Sequence, residues 1–171
     1  GGLAMVNVTA NMLFGAISGS AAASASAIGT IMGGPMEKEG YDKSYSTAIN
    51  VTSATTGLSI PPSNVLIVYA LASGGTSIAA LFLAGYIPGI LTGLALMLVG
   101  AVYAHKKKYP VAEKIPFKLA VKKFFDAIPS LMMLVIVIGG IVAGYFTATE
   151  ASAIAVLYSL ILAVIYKQVS F

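Results

Sequence analysis

Glycine, proline and hydroxyl-bearing residues interrupt two otherwise apolar stretches of this 171-residue chain. The first interruption is residues 15–20 (GAISGS), and the second is residues 55–63 (TTGLSIPPS). Glycine and proline break the hydrogen-bond ladder of a helix, and the freed carbonyls and nearby hydroxyls are oxygen ligands for hard cations. Unwound backbone at membrane depth is tolerated only where it is buried in protein or lines a polar cavity. Two such interruptions in one chain predict a binding site.

The composition is that of an integral membrane protein. Hydrophobic residues make up 58% of the chain and charged residues 9%, whereas a soluble domain carries roughly 25% charged residues. The sequence contains no cysteine, which excludes disulfides and thiolate metal sites from it. Its ten lysines lie near the ends of apolar segments, which indicates membrane topology and not nucleic-acid binding. The apolar sequence begins at Gly1 without an initiator Met, and we expect a piece of a longer chain.

The first interruption lies between two apolar segments, residues 2–14 and 21–36. A complete helical span needs roughly 20 apolar residues, and each segment is shorter than that. The pattern therefore predicts a re-entrant helical hairpin whose tip, residues 18–20, lies near the middle of the membrane. One long kinked helix is the alternative that the pattern leaves open.

The second interruption divides a helix in two. Half-helices on either side of it place their ends, with unpaired backbone groups and partial charges, at mid-membrane depth. The predicted fold is thus all-α and membrane-integral. In chain order we expect a re-entrant hairpin (1–36), a cytoplasmic loop (37–44), a discontinuous transmembrane helix (45–74), a transmembrane helix (79–104), a cytoplasmic basic loop with an interfacial amphipathic helix (105–128), and two further transmembrane helices (129–146 and 148–166).

Small residues mark a packing face on the helix predicted over 79–104. Gly85, Gly89 and Gly93 recur every four residues, a spacing that lets a neighbouring helix approach closely. The helix ends at His105 and the lysines 106–108, and the positive-inside rule places such an end in the cytoplasm.

Two local patterns define the C-terminal part of the chain. Residues 116–128 place aromatic and aliphatic side chains on one side of a helix and lysines on the other, which predicts a helix lying on the membrane surface, with Pro116 at its first position. Thr147 and Glu150 have the spacing of a capping box. We therefore assign Glu150 to a helix start in preference to a functional site.

The lysines predict one consistent topology. If residues 106–108 are cytoplasmic, the preceding helix starts outside, the broken helix runs from inside to outside, and the hairpin opens to the inside. The last two spans then cross outward and return, which brings Lys167 to the cytoplasmic side together with the other lysines.

These residues do not support catalysis. Ser18 would need a base within hydrogen-bond reach to act as a nucleophile, and the single histidine, His105, lies in a basic run at a helix end. The sequence has no cluster of histidines and carboxylates for metal-assisted hydrolysis. We therefore expect a protein that is not an enzyme.

Cation binding fits the interruptions better. No carboxylate lies at either one, which argues against proton relays and divalent ions and favours a monovalent ion such as Na⁺. Helix N-termini at the interruptions favour an anionic group of a substrate. The alternative is that serine and threonine merely pack helices together. The candidate oxygen ligands are the hydroxyls of Ser18, Ser20, Ser53, Thr55, Thr56 and Ser59 and the carbonyls freed at Gly19 and Gly57.

Six stretches also resemble, in order, the large membrane subunit of TRAP (tripartite ATP-independent periplasmic) transporters. They are residues 2–8 (GLAMVNV), 12–20 (MLFGAISGS), 40–41 (GY), 57–63 (GLSIPPS), 81–89 (LFLAGYIPG) and 146–151 (FTATEA). Ser24 departs from the pattern, because the family usually has Asp at this position. Members of the family are considerably longer than this chain.

The resemblance implies one repeat of an inverted-repeat, elevator-type transporter in the bacterial inner membrane, importing an organic acid such as a C4-dicarboxylate or sugar acid. It implies a periplasmic substrate-binding protein and a small membrane subunit as partners, Na⁺ as the coupling ion and no other cofactor. The alternatives are a Na⁺/dicarboxylate symporter without a binding protein and a membrane scaffold that does not transport. By the same resemblance, the ion-binding residues are Ser18, Gly19, Ser20, Ser53, Thr56 and Gly57, and the residues that border the substrate are Ser59, Pro61 and Pro62.

Overall fold

The computed structural model describes residues 2–109 and 116–167, which are mainly helical and contain no strand. The chain divides into two compact units, Gly1–Ala112 and Glu113–Phe171. The elements of the first unit are α1 (Gly2–Ser18), α2 (Ala21–Lys38), α3 (Lys43–Ala54), a 3₁₀ turn (Thr55–Leu58), α4 (Asn64–Ala72) and α5 (Ile78–Lys106). Those of the second are α6 (Phe117–Val142) and α7 (Ala148–Ile165).

Helix α1 lies at the centre of the first unit and packs against α2, α3, the 3₁₀ turn and α5. Small residues along it, among them Ala4, Gly15 and Ala16, are buried and let the neighbouring helices approach closely. The apolar core of this unit includes Val8 of α1, residues of α2 and α3, and Tyr41 from the loop between them. The position of α1 matters for function because it carries the first interruption at its C-terminal end.

Helices α1 and α2 form a helical hairpin. They are separated by residues 19–20 and pack against each other, which a single kinked helix would not do. The interruption therefore lies where the sequence predicted it, and the kinked-helix alternative is wrong. Entry of this hairpin into the membrane from one side stays a prediction.

The glycine face of α5 packs against the second interruption. A Cβ atom on Gly85 would overlap the carbonyl of Ser59, and one on Gly89 would lie 2.5 Å from Ile60 Cγ1. A Cβ atom on Gly93 would likewise overlap the side chain of Met12 in α1. The predicted packing face is confirmed, because the absence of a side chain at these three positions lets α5 pack closely against the second interruption and against α1.

Stacked tyrosines hold the loop between α2 and α3 against the end of α5. The ring centroids of Tyr41 and Tyr109 are 4.2 Å apart, and those of Tyr45 and Tyr103 are 4.3 Å apart. The backbone N–H of Asp42 donates to Tyr109 Oη at 3.1 Å. Burial raises the pKa of Tyr41, so this ring stays neutral at physiological pH.

The second unit is an antiparallel pair of helices. Thr147 and Glu150 form the predicted capping box: Glu150 N donates to Thr147 Oγ1 at 3.3 Å, and Thr147 N donates to Glu150 Oε2 at 2.8 Å. Tyr158 of α7 donates to Pro129 O of α6 at 2.6 Å. The prediction that Glu150 belongs to a helix start is confirmed.

The expected boundary between a surface helix over 116–128 and a span over 129–146 is wrong. Helix α6 runs without interruption from Phe117 to Val142, with Pro129 inside it and Pro116 as its N-cap. Proline removes one backbone donor, and the rest of the helical ladder continues around it, as membrane helices commonly allow. Interfacial placement of the lysine-bearing first turns of α6 stays a prediction.

Three helices within the described residues, α5, α6 and α7, are long and apolar enough to cross a membrane. They cover most of the spans predicted over 79–104, 129–146 and 148–166. Much of their apolar surface is exposed, as Leu98 and Leu157 illustrate. An apolar surface of this extent is typical of contact with lipid or with other membrane helices.

Candidate functional site

The tip of the hairpin is built by a glycine turn and a serine cap. Gly19 has a φ of +62°, a left-handed conformation that favours glycine, and its N–H donates to Gly15 O at 2.8 Å where α1 ends. The Ser20 side chain accepts from Ala23 N at 3.3 Å and caps α2. Ser18 Oγ lies 3.3 Å from both the N and the O of Ser20. Two hydroxyl oxygens therefore lie where one helix ends and the next begins.

The end of α3 is shaped by threonines. Thr56 Oγ1 donates to Ser53 O at 2.6 Å, and Thr55 Oγ1 donates to Thr52 O at 2.7 Å, so hydroxyls occupy carbonyls near the end of the helix. Thr56 is buried and Thr55 is exposed. A hydroxyl that donates its proton keeps two lone pairs as an acceptor. The oxygen of Thr56 thus remains available as a ligand in a buried position.

The two interruptions lie against each other. Gly15 and Gly57 are in backbone contact, and a Cβ atom on Gly15 would lie 2.7 Å from Gly57 Cα. Asn64, the first residue of α4, reaches the hairpin tip: its Nδ2 lies 3.4 Å from Ser18 O, and a Cβ atom on Gly19 would lie 2.7 Å from it. The ends of α1 and α3 and the starts of α2 and α4 therefore form one region, which we call the junction.

A buried amide cluster lies beside the junction and joins α1, α2 and α3. We define it as Asn7, Asn11, Ser24, Asn50 and Ser53, all buried. Asn11 is its hub: Nδ2 lies 2.9 Å from both Asn50 Oδ1 and Ser53 Oγ, and Oδ1 accepts from Ser24 Oγ at 2.7 Å. A polar network in a low-dielectric interior is strong when its groups are satisfied. The cluster therefore fixes the three helices that present the junction.

Asn50 connects the amide cluster to α2 through a hydrogen bond that passes over Gly29. Its Nδ2 donates to Ala25 O at 2.7 Å. The amide passes directly over Gly29, where a Cβ atom would lie 2.7 Å from the same nitrogen. Glycine at position 29 is thus required by the close approach of the amide.

The chain can be placed among known proteins by its sequence. Residues 1–171 match the family described as "Tripartite ATP-independent periplasmic transporter, DctM component". The chain belongs to this family. The resemblance to TRAP large membrane subunits, inferred from the motifs, is therefore confirmed.

Relatives in the DctM family extend well beyond this chain. Over 99% of its length the chain is 65% identical to "Uncharacterized protein YgiK" of Salmonella typhimurium, of which it covers 39%. Over 98% it is 41% identical to the C4-dicarboxylate TRAP transporter large permease protein DctM of Pseudomonas aeruginosa, again covering 39%. Over 99% it is 39% identical to the sialic acid TRAP transporter large permease protein SiaM of Vibrio cholerae, covering 40%. The chain spans about two fifths of these relatives.

The structure distributes the predicted ligands of this DctM-family chain over the junction. Ser18, Gly19 and Ser20 form the hairpin tip, and Thr56 and Gly57 lie in the 3₁₀ turn that α1 contacts. The side chain of Ser53 belongs to the amide cluster, and its backbone carbonyl accepts from Thr56.

The three residues predicted to border the substrate follow the 3₁₀ turn. Pro61 is buried, whereas Ser59 and Pro62 are half-buried. The Ser59 carbonyl faces Gly85 of α5. The peptide between Pro61 and Pro62 is cis.

Sequence reasoning missed two asparagines and the partner of Ser24. Asn50 belongs to the amide cluster, and Asn64 contacts the hairpin tip. The available signal was the cost of burying an amide, which requires a hydrogen-bonding partner. Asn7 and Asn11 lie four residues apart and therefore share one face of α1. Ser24, which departs from the resemblance noted in the sequence, contacts that face through its hydroxyl, which donates to Asn11 Oδ1.

The electrostatics of the junction come from dipoles and not from side-chain charges. Residues 18–24 and 53–64 contain no charged side chain. Helices α1 and α3 end there with partial negative charge, and α2 and α4 begin there with partial positive charge. Elsewhere in the described residues, no group of three His, Asp or Glu side chains is placed to hold a metal ion. The junction thus offers oxygen ligands that carry no formal charge.

Proposed function

We propose that this chain supplies one cation site and part of the substrate site of a Na⁺-coupled secondary transporter that imports an organic acid. The contact between Gly15 and Gly57 is the observation that carries the proposal. It brings the C-terminal ends of α1 and α3 together, and each end carries partial negative charge and carbonyls without helical donors. Such a pair of ends attracts a cation.

The ligand chemistry favours a monovalent ion. Hydroxyls at Ser18, Ser20 and Thr56 and carbonyls near Gly19 and Gly57 are neutral oxygen donors. A divalent ion is usually held by one or more carboxylates, and none lies in the segments that form the junction. Na⁺ is therefore the coupling ion that we propose.

An anionic group suits the other half of the junction. Helices α2 and α4 begin there, and Asn64 adds amide donors at the start of α4. Helix N-termini with free N–H groups bind carboxylates. The names of two relatives give a C4-dicarboxylate and sialic acid as their substrates. Both substrates are organic acids, which supports an organic acid as the substrate class here.

The complete transporter needs more than this chain. The chain spans about two fifths of its relatives, so the remainder would supply the second hairpin and the other half of the site. By family membership we propose an elevator-type protein of the bacterial inner membrane, working with a small membrane subunit and a periplasmic substrate-binding protein. The hairpin is proposed to be re-entrant from the cytoplasmic side.

The experiment is substrate uptake by the complete complex in proteoliposomes. We expect uptake with an inward Na⁺ gradient and added binding protein, and none with an equal K⁺ gradient. Uptake that continues at the same rate without the binding protein would instead identify a Na⁺/dicarboxylate symporter. A complex that neither transports nor binds Na⁺ would be a scaffold, and the proposal would be wrong.

A further inference from the structure

A cavity of about 260 Å³ lies between α1, α2 and α3, away from the residues predicted to bind the ion. The exposed side chains of Glu37 and Lys43 border it on the side of the loop between α2 and α3. Its remaining polar lining consists of Asn7, Ser46, Thr47 and Asn50.

The lining contains buried polar atoms that are poorly satisfied by protein. Ser46 Oγ is buried and has no hydrogen-bonding partner among the residues that the structure describes. Asn7 is 1% exposed, and its Nδ2 makes only long contacts of 3.4 Å to Asn50 Oδ1 and 3.9 Å to Met36 Sδ. Water satisfies such atoms, and at about 30 Å³ per molecule the cavity has room for several waters. The cavity therefore has both the room and the hydrogen-bonding partners that buried water needs.

The inner end of the cavity is connected to the junction through the amide cluster. Asn50 lines the cavity, and its Oδ1 accepts from Asn11 Nδ2 at 2.9 Å. That nitrogen also lies 2.9 Å from Ser53 Oγ. The Ser53 carbonyl then accepts from Thr56 Oγ1 at 2.6 Å. A continuous series of polar contacts thus leads from the cavity to the 3₁₀ turn through an otherwise apolar bundle.

We propose that this cavity is a water-filled vestibule through which the coupling cation passes between the junction and the cytoplasm, a role that rests on the proposed function. Glu37 and Lys43 border the open side with opposite charges, so a hydrated monovalent cation would enter beside the Glu37 carboxylate and away from Lys43. Hydroxyl and amide oxygens would replace part of the ion's hydration shell on the way inward. Asn7 and Asn50 close the inner end, so passage requires these two amides to separate.

Two adjacent glycines of α2 provide a matched pair of variants. Gly33 lines the cavity and Gly34 does not, and a Cβ atom on either would meet no atom within 4 Å. Gly33→Leu therefore fills the vestibule without a backbone clash, and Gly34→Leu adds the same side chain next to it. Both variants are made in the full-length subunit and reconstituted with its partners.

Two quantities are measured: equilibrium Na⁺ affinity by titration calorimetry, and the rate of ²²Na⁺ exchange across the proteoliposome membrane. We expect Gly33→Leu to slow exchange by about tenfold or more while Na⁺ affinity stays unchanged, because a route is blocked and not a site. Gly34→Leu should match the unmodified protein in both quantities. A normal rate of ²²Na⁺ exchange by the Gly33→Leu variant would overturn the vestibule proposal. Loss of Na⁺ affinity in the same variant would also overturn it. Absence of Na⁺ binding in the unmodified protein would instead refute the proposed function.

Thiol labelling gives a second readout that does not depend on transport. This chain contains no cysteine, so Gly33→Cys and Ser46→Cys can be made in a full-length subunit whose other cysteines, if any, are replaced. We expect both thiols to react with a cationic methanethiosulfonate reagent added at the cytoplasmic face. Thiols at both positions that stay unreactive until the protein is denatured would overturn the proposal, even if Gly33→Leu fails to fold.

Discussion

Gly15 and Gly57 touch backbone to backbone where the end of α1 meets the 3₁₀ turn that follows α3. Neither position has room for a side chain, because a Cβ atom on Gly15 would lie 2.7 Å from Gly57 Cα. This contact joins the two interruptions of the chain into one junction. The proposed cation site depends on it, since it sets the separation of the carbonyls at the two helix ends.

Gly57→Ala should therefore damage both stability and transport. The added methyl group overlaps the backbone of α1, which cannot rotate away, and overpacking of this kind costs about 1–3 kcal/mol. We expect a lower thermal unfolding midpoint in detergent and weaker Na⁺-dependent uptake by the full-length protein. Gly34→Ala is the control, because a Cβ atom there meets nothing within 4 Å. Equal midpoints for the two variants would contradict the contact.

Asn11→Ala should destabilise the first unit by roughly 1–3 kcal/mol, the cost of leaving a buried polar group unsatisfied. The substitution removes the hub that bonds to Ser24, Asn50 and Ser53. Thr9→Ala is a matched control on the same helix, because the Thr9 hydroxyl is exposed and donates to Met5 O. The thermal unfolding midpoints of the two full-length variants are compared. Equal midpoints would contradict a structural role for the amide cluster.

Thr56→Ala should raise the Na⁺ concentration needed for half-maximal uptake by about tenfold, which corresponds to roughly 1.4 kcal/mol of binding free energy. Thr55→Ala should change it little, because Thr55 makes the equivalent backbone hydrogen bond from an exposed position. Thr56→Ser keeps the hydroxyl and should preserve Na⁺ dependence.

The hairpin tip should behave like Thr56. Ser18→Ala is also expected to weaken Na⁺-dependent uptake while membrane insertion, judged by the amount of protein in the membrane fraction, stays normal. Unchanged Na⁺ dependence in both Ser18→Ala and Thr56→Ala would refute the assignment of these residues to the ion site.

Two neighbouring glycines test the packing of the second unit. A Cβ atom on Gly140 would overlap the ring of Phe146, whereas one on Gly139 meets nothing within 4 Å. Gly140→Ala should therefore destabilise the pair of α6 and α7 by about 1–3 kcal/mol, and Gly139→Ala should have almost no effect. Thermal unfolding of the two full-length variants measures the difference, and the prediction fails if both unfold at the same temperature.

Much of the fold is encoded locally and could be predicted from the sequence. Glycine and serine at residues 18–20 favour a turn followed by a helix cap, and the prolines within 55–63 stop a helix. The capping box of Thr147 and Glu150 and the glycine face of α5 likewise depend on spacing alone. These features were found because each is specified by residues within about one or two helical turns.

The features that sequence reasoning missed depend on contacts between distant residues or on context. Asn50 meets Asn11 across 39 positions, and Asn64 meets Ser18 across 46. No local pattern states which amides will pair. The continuity of α6 was missed for another reason: the boundary was placed where the lysine-bearing amphipathic pattern gives way to apolar residues, and the helix continues through that change in composition.

Direct Na⁺ binding to the full-length subunit tests the central claim, that the junction of the two interruptions holds a monovalent cation. Titration calorimetry at constant ionic strength, with K⁺ replacing Na⁺ as the control, measures it without any need for transport. We predict saturable Na⁺ binding that is absent with K⁺, weakened by Thr56→Ala and unaffected by Thr55→Ala. Absence of saturable Na⁺ binding to the folded protein, or identical binding by both threonine variants, would contradict the account.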